Sequence, residues 1–279
     1  RLSDVRPEAS GFVGSISPQW TLPEHLAQTC SIVRAARRSG TELVVCDTTG
    51  LADAPWSDRL KRMKIEALAP DHIVVLSRSS LPLQLDRLLG CLSHPVVHRL
   101  RVPGAIVVKP PAMRAQRRAW RLARAFENAT ERSWAMEEVI VENSWLGSGT
   151  ALMPAALKQL STELRTEVLY AETCGRRLGM VVSSAPSYDA AVEVAMRLYG
   201  VQSVFIIQES SLDGLVVGMH DSERTLLGIG LISGVDYEAR TMRVLTQVQA
   251  TSAVRIIRLG TVRLRPTGQV LAVLRTGDV

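Results

Sequence analysis

The chain is most informative first in what it lacks. No apolar run approaches the roughly 20 residues a membrane helix needs, and no basic-then-apolar leader pattern follows Arg1, so neither a membrane nor an exported protein is indicated. Its four cysteines, Cys30, Cys46, Cys91 and Cys174, include no C-x-x-C pair. A disulfide framework and a thiolate metal site are therefore poorly supported, and reduced thiols in a cytoplasmic protein fit better. The five histidines have no ligand spacing, and neither H-E-x-x-H nor G-x-S-x-G occurs. The phosphate-cradling motif G-x-x-x-x-G-K-[ST] is missing, as is an N-K-x-D guanine-recognition motif. Gly147-Ser148-Gly149-Thr150 is glycine-rich but carries no lysine, and it reads as an ordinary loop. Low-complexity tracts and internal repeats are absent.

Lysine is also scarce. Of 33 basic residues only Lys61, Lys64, Lys109 and Lys158 are lysine, and the net charge is +6 with a pI near 9.5. A basic excess permits an anionic partner such as nucleic acid, and coding bias explains part of the arginine preference. The position of the charge is more telling than its total. At 279 residues, with 46% hydrophobic and 22% charged residues, the chain is long enough for one large or two medium domains.

Residues 1–135 alternate strand and helix signals. Leu43-Val44-Val45-Cys46 predicts a buried strand opening into the loop Asp47-Thr48-Thr49-Gly50. Helical periodicity covers Leu22 to Arg38, with Gly40 as its stop, and Ser57 to Leu68, ended by Pro70. His72 to Leu76 predicts a second buried strand, Leu83 to Leu92 a helix, Val96 to Val102 a further strand and Met113 to Phe126 a helix. This rhythm predicts an α/β domain, a parallel sheet with helices on both faces. From 136 to 279 the apolar stretches are short and turn-punctuated, which predicts a smaller, mostly β domain with one main helix at Ser187 to Tyr199.

Two segments carry chemistry by residue type. Asp47-Thr48-Thr49-Gly50 follows a strand, where open α/β sheets bind ligands. Its carboxylate suits Mg²⁺, its hydroxyls suit a phosphate, and its glycine permits close backbone approach. A turn closing the strand accounts for the same residues equally well. In the 113–126 helix, Arg114, Arg118 and Arg121 are spaced four and three apart and share one face, with no acidic residue before Glu127. Guanidinium forks suit phosphate oxygens, although a solvated basic face is the commoner explanation of such a run. A third, weaker segment is Gly11-Phe12-Val13-Gly14-Ser15-Ile16-Ser17-Pro18, which suits a strand leaving the sheet into a substrate-facing loop but is better explained by an ordinary turn.

In order along the chain, these segments resemble the polynucleotide 5′-hydroxyl kinase family, P-loop kinases related to the pre-mRNA-cleavage-factor and rRNA-processing kinases. Gly14-Ser15-Ile16-Ser17-Pro18 resembles the family's G-x-[ST]-[ST]-P, and Leu43 to Gly50 its strand ending in D/N-T-x-G-W. Ala69 to Leu76 is similar to its P-D-h-V-V-x-L strand, and Arg114 with Arg118 to the R-x-x-x-R of its lid. Gly228 to Ile232, Val235 to Tyr237 and Arg258 to Leu264 resemble its C-terminal β domain. The resemblance implies transfer of the γ-phosphate of ATP, with Mg²⁺, to the 5′-hydroxyl end of RNA or DNA. It implies a catalytic role for Arg114, Arg118 and Arg121, contacts to the acceptor nucleic acid from Ser15, Ser17, Thr48 and Gly50, and metal contact from Asp47. The family's tryptophan after T-x-G is Leu51 here, which weakens base stacking at that point. The family's P-loop and general base precede the Gly14 segment, so the resemblance implies a chain that starts after them, with negligible activity on its own. The alternative is a non-catalytic nucleic-acid- or protein-binding scaffold on the same fold. A GTPase-like switch ranks last. The oligomeric state is not legible.

Overall fold

The structure is a computed structural model that describes residues 7–50, 54–78, 81, 83–107 and 110–275. Leu51 lies outside the described residues. The chain divides into two compact units, one of residues 1–13 and 17–114, the other of residues 14–16 and 115–279.

In the first unit, α1 (Leu22–Arg38) packs on α2 (Pro55–Leu68). Proline at the start of each is tolerated because the first amide has no intrahelical partner. Ala69 adopts φ 44 and ends α2 in the left-handed region immediately before Pro70, and Gly40 does the same beyond α1 with φ 76. Two strands follow, β1 (His72–Ser77) and β2 (Val96–Arg101), with α3 (Leu83–Gly90) between them. They pair in parallel, His72 against Val96 through Ser77 against Arg101. The unit is therefore α/β with parallel strands.

Two expectations need correction here. Leu43 to Cys46 forms no strand and is not buried; Leu43 is 77% and Val45 82% exposed. Apolar composition supplies strand propensity, but a strand needs a partner ladder, and among the described residues this run has none. β1 is likewise only half covered. Its burial alternates, with Val74 and Leu76 exposed between half-buried neighbours, so the continuous apolar run does not mark burial on both faces.

The helix α4 (Pro111–Phe126) crosses from one unit to the other and leads into the sheet-rich second unit. There the strands are β3 (Thr130–Ala135), β4 (Ile140–Glu142), β5 (Thr150–Ala151), β6 (Val168–Cys174), β7 (Arg177–Val182), β8 (Ser203–Gln208), β9 (Leu215–His220), β10 (Leu226–Asp236), β11 (Thr241–Thr246), β12 (Ile256–Leu264) and β13 (Val270–Val273). The larger sheet runs β13-β12-β9-β10-β11-β3, with β4 added parallel to β12. The smaller runs β5-β6-β7-β8, of which only β7–β8 is parallel. Two helices accompany it, α5 (Pro154–Leu164) and α6 (Tyr188–Tyr199). They close one core with the smaller sheet around Leu160, Leu178, Met180 and Ala191. A second core gathers Met219, Ile232, Met242, Ile257 and Leu259. On β11 the buried Met242 and Val244 alternate with less buried neighbours, which fixes its register, whereas β7, β9 and β12 are buried almost throughout.

β4 is tied in by charge. Glu142 accepts from Arg258 Nε at 2.8 Å and Nη2 at 2.7 Å, and from Arg224 Nη2 at 2.6 Å. Burial pushes the Glu142 carboxyl up, but the hydrogen bonds from Arg258 and Arg224 outweigh this and hold it below the ordinary glutamate value. A lowered folded pKa gives stability that is present above the unfolded pKa and lost as pH falls through the folded one. Denaturant midpoints should therefore fall from about pH 7 to about pH 3, and Glu142→Gln should flatten part of that slope. Identical slopes for the two proteins would remove Glu142 as a contributor.

Candidate phosphoryl-transfer site

Arg114, Arg117, Arg118, Arg121 and Arg124 all lie on α4 and are exposed. Helical spacing puts Arg114, Arg118 and Arg121 on one face. Among the described residues none of these three is in an ion pair, whereas Arg124 sits over the Trp120 ring at 5.1 Å. Unpaired guanidinium groups keep all their donors for an incoming oxyanion. The second half of the helix is fixed from behind by Gly268. This residue turns the β12–β13 hairpin at φ 80, and a Cβ there would stand 2.0 Å from the carbonyl oxygen of Ala119. Only glycine allows so close an approach of hairpin to helix.

Asp47, Thr48 and Gly50 belong to an exposed, irregular segment of the first unit, and Thr49 is half-buried. The segment is anchored by Lys61 of α2, whose Nζ donates to the Thr49 carbonyl at 3.0 Å. Nothing in the sequence pattern pointed to Lys61, because a single lysine on a helix is ordinarily solvated. Asp47 with the Thr48 and Thr49 hydroxyls offers hard oxygen donors. Among the described residues no three histidine, cysteine, aspartate or glutamate side chains converge on a metal site. This donor set fits Mg²⁺, which commonly takes one or two carboxylates and completes its shell with water and phosphate oxygens.

Ser15 and Ser17 are half-buried and fall in different units. Residues 11–14 form no strand, so of the two readings of this segment the strand is not seen. Instead Gly14, at φ 71, offers its carbonyl to Thr261 N at 2.7 Å, which docks residues 14–16 on β12. Gly260 makes this possible, since a Cβ there would meet Gly14 O at 2.6 Å and Val216 O at 2.8 Å. Ser17 accepts from Gln19 N at 3.5 Å at the start of a short 3₁₀ turn, Pro18–Trp20. The structure thus places Arg118, Arg121 and Ser15 in the second unit, and Arg114, Ser17, Asp47, Thr48 and Gly50 in the first.

The glycine-rich loop at 147–150 is not a free phosphate cradle. The amides of Gly147, Ser148 and Gly149 converge on the carboxylate of Glu172 at 3.0, 3.0 and 3.1 Å. An anion-binding nest of backbone amides is present, but the protein's own side chain fills it.

Comparison with known proteins identifies several that are similar to this chain. Residues 3–128 match the family described as mRNA cleavage and polyadenylation factor CLP1 P-loop. A Pyrococcus furiosus protein named polyribonucleotide 5′-hydroxyl-kinase is 26% identical over 273 residues, covering 98% of this chain and 73% of that protein. Its namesake from Methanocaldococcus jannaschii is 24% identical over 276 residues, with 98% and 73% covered. The solved structure of a wild-type Clp1p–Pcf11p complex is similar over 86% of this chain at 14% identity and a TM-score of 0.46; the chain spans about half of that protein, 51%. Among the described residues no helix is long and apolar enough to cross a membrane. Over residues 3–128 the chain thus matches the CLP1 P-loop family, and over nearly its whole length it is similar to archaeal proteins named polyribonucleotide 5′-hydroxyl-kinases.

Proposed function

We propose that the protein transfers the γ-phosphate of ATP to the 5′-hydroxyl end of RNA. The observation that carries this reading is the match, over 98% of the chain, to archaeal proteins named polyribonucleotide 5′-hydroxyl-kinases. The chemistry of α4 supports it. In phosphoryl transfer negative charge spreads over the equatorial oxygens of the migrating group, and the protein's main task is to position the reactants and neutralise that charge. Arg118 and Arg114, one turn apart on an exposed face, present fixed forks for those oxygens, and Arg121 extends the stripe by another turn. Thr48 and Gly50 position the acceptor strand, with the Lys61 contact to Thr49 holding their segment in place. Ser15 and Ser17 contribute hydroxyls to the same strand. Asp47 would hold Mg²⁺ or a water ligand of it, and bound Mg²⁺ would supply the remaining charge neutralisation.

The test is transfer of labelled γ-phosphate from ATP to matched 5′-hydroxyl oligonucleotides, RNA and DNA side by side, by the full-length gene product. Labelling of RNA, with the label removed by a 5′-phosphatase, is expected. No labelling of either strand by a folded protein would sink the reading and leave a binding scaffold.

A further inference from the structure

Lys64 is out of place for a solvated helix lysine. It lies on α2, one turn beyond Lys61, and is only 6% exposed. Among the described residues no carboxylate, carbonyl or hydroxyl accepts from its ammonium. A packed stem with an unpartnered ammonium at its end keeps that group ordered and leaves its donors for an anion. Its surroundings point the same way. Lys61 on the same face reaches the Thr49 carbonyl at 3.0 Å. His25 of α1 and the exposed Cys46, which precedes Asp47, are electrostatic neighbours of Lys64. Two ammonium groups and an imidazole thus collect behind the irregular segment 46–50; Asp58 attracts Lys61, and among the described residues no carboxylate acts on Lys64.

We propose that Lys64, with Lys61 and His25, forms a phosphate-binding cradle beneath the Asp47–Gly50 segment. In the proposed kinase, on which the assignment of the phosphate rests, the ligand is a phosphodiester of the acceptor strand; a nucleotide's phosphates have the same chemistry and are the other source. Bound phosphate supplies the counter-charge that Lys64 lacks. The electrostatics agree with a site that favours an anion. Burial pushes the Lys64 amine down, with the Cys46 thiol acting weakly against it. Burial and then Lys64 lower Lys61 against the pull of Asp58, and burial and then Lys64 lower His25 against a backbone hydrogen bond. A phosphate arriving between them would reverse each of these shifts.

The experiment titrates wild type, Lys64→Met and Lys64→Arg with a labelled 5′-hydroxyl oligoribonucleotide, with ADP and with inorganic pyrophosphate, and records thermal unfolding of each protein. Methionine keeps the packed stem and removes the charge that repels Lys61, so Lys64→Met should fold and melt no lower than wild type. It should bind the oligonucleotide about ten-fold more weakly, the equivalent of one charge-assisted hydrogen bond. Its slope of log affinity against log salt should fall by about one. Lys64→Arg should recover most of both. A loss confined to ADP and pyrophosphate would support the cradle with the nucleotide as its source. Unchanged binding of all three ligands by folded Lys64→Met would overturn it, as would lowered melting with unchanged binding. If wild type binds pyrophosphate through Lys64 but neither oligonucleotide nor ADP, the cradle stands and the kinase reading falls. If the protein phosphorylates RNA and Lys64→Met matches wild type throughout, the kinase reading stands and the cradle falls.

Discussion

Replacing Arg118 by alanine in the full-length gene product should lower the turnover of 5′-hydroxyl phosphorylation by about 10³-fold, within the range that a charge-neutralising arginine contributes in phosphoryl transfer. The loss should fall on kcat and leave KM little changed, because the guanidinium answers charge that develops only in the transition state. Folding should be unaffected. Arg118 is exposed and has no ion-pair partner among the described residues, so the substitution removes no stabilising contact. Lysine at 118 should recover only part of the rate, since a point charge cannot reproduce a bidentate fork. Arg124→Ala is the control. It removes a charge from the same helix, but from a guanidinium held over Trp120. Steady-state rates and thermal melts on these three variants decide the matter. Equal losses at 118 and 124 would reduce the effect to nonspecific attraction of the strand, and an unchanged rate at 118 would remove the lid assignment.

The sequence discloses α4 fully, because five arginines without an acid leave one consistent periodicity and no competing strand reading. It discloses β1, β2 and most strands of the second unit for a similar reason, as short runs between turn residues. It fails at Leu43 to Cys46, where composition favours a strand but the partner ladder decides. β3 is also invisible, since Thr-Glu-Arg-Ser-Trp-Ala has no apolar alternation and owes its place to pairing with β11. α5 escapes because its Pro154 reads as a breaker, although at the start of a helix proline is well tolerated. Of the site, the residues that carry charge in a pattern are readable. Lys61 and Lys64 are not, because burial and the Thr49 contact arise only when α2 packs on α1 and the 46–50 segment.

Glu172 is the other position where one side chain should matter greatly, here for stability. It is 2% exposed on β6 and gathers five donors: the amides of residues 147–149, the Ser148 hydroxyl at 3.2 Å and the Tyr170 hydroxyl at 2.7 Å. Burial, followed by this hydrogen bond to Glu172, raises the Tyr170 phenol far above its ordinary value, so the phenol stays a donor at any physiological pH. Neither neighbouring segment can relax easily into a gap. A Cβ on Gly149 would stand 2.4 Å from the Thr173 carbonyl, and one on Gly179 would enter the Trp145 ring at 2.2 Å. Glu172→Ala would therefore strand several buried donors at once, for a cost of about 3–5 kcal/mol in urea denaturation. Glu172→Gln keeps one acceptor oxygen and places an N–H against backbone N–H groups, so it should recover only part of this. Tyr170→Phe removes a single donor and should cost about 1–2 kcal/mol. This ordering separates an internal nest from a loop that merely lies nearby. If alanine at 172 cost less than phenylalanine at 170, the carboxylate would not be what holds the 147–149 amides, and their nest would be open to another anion.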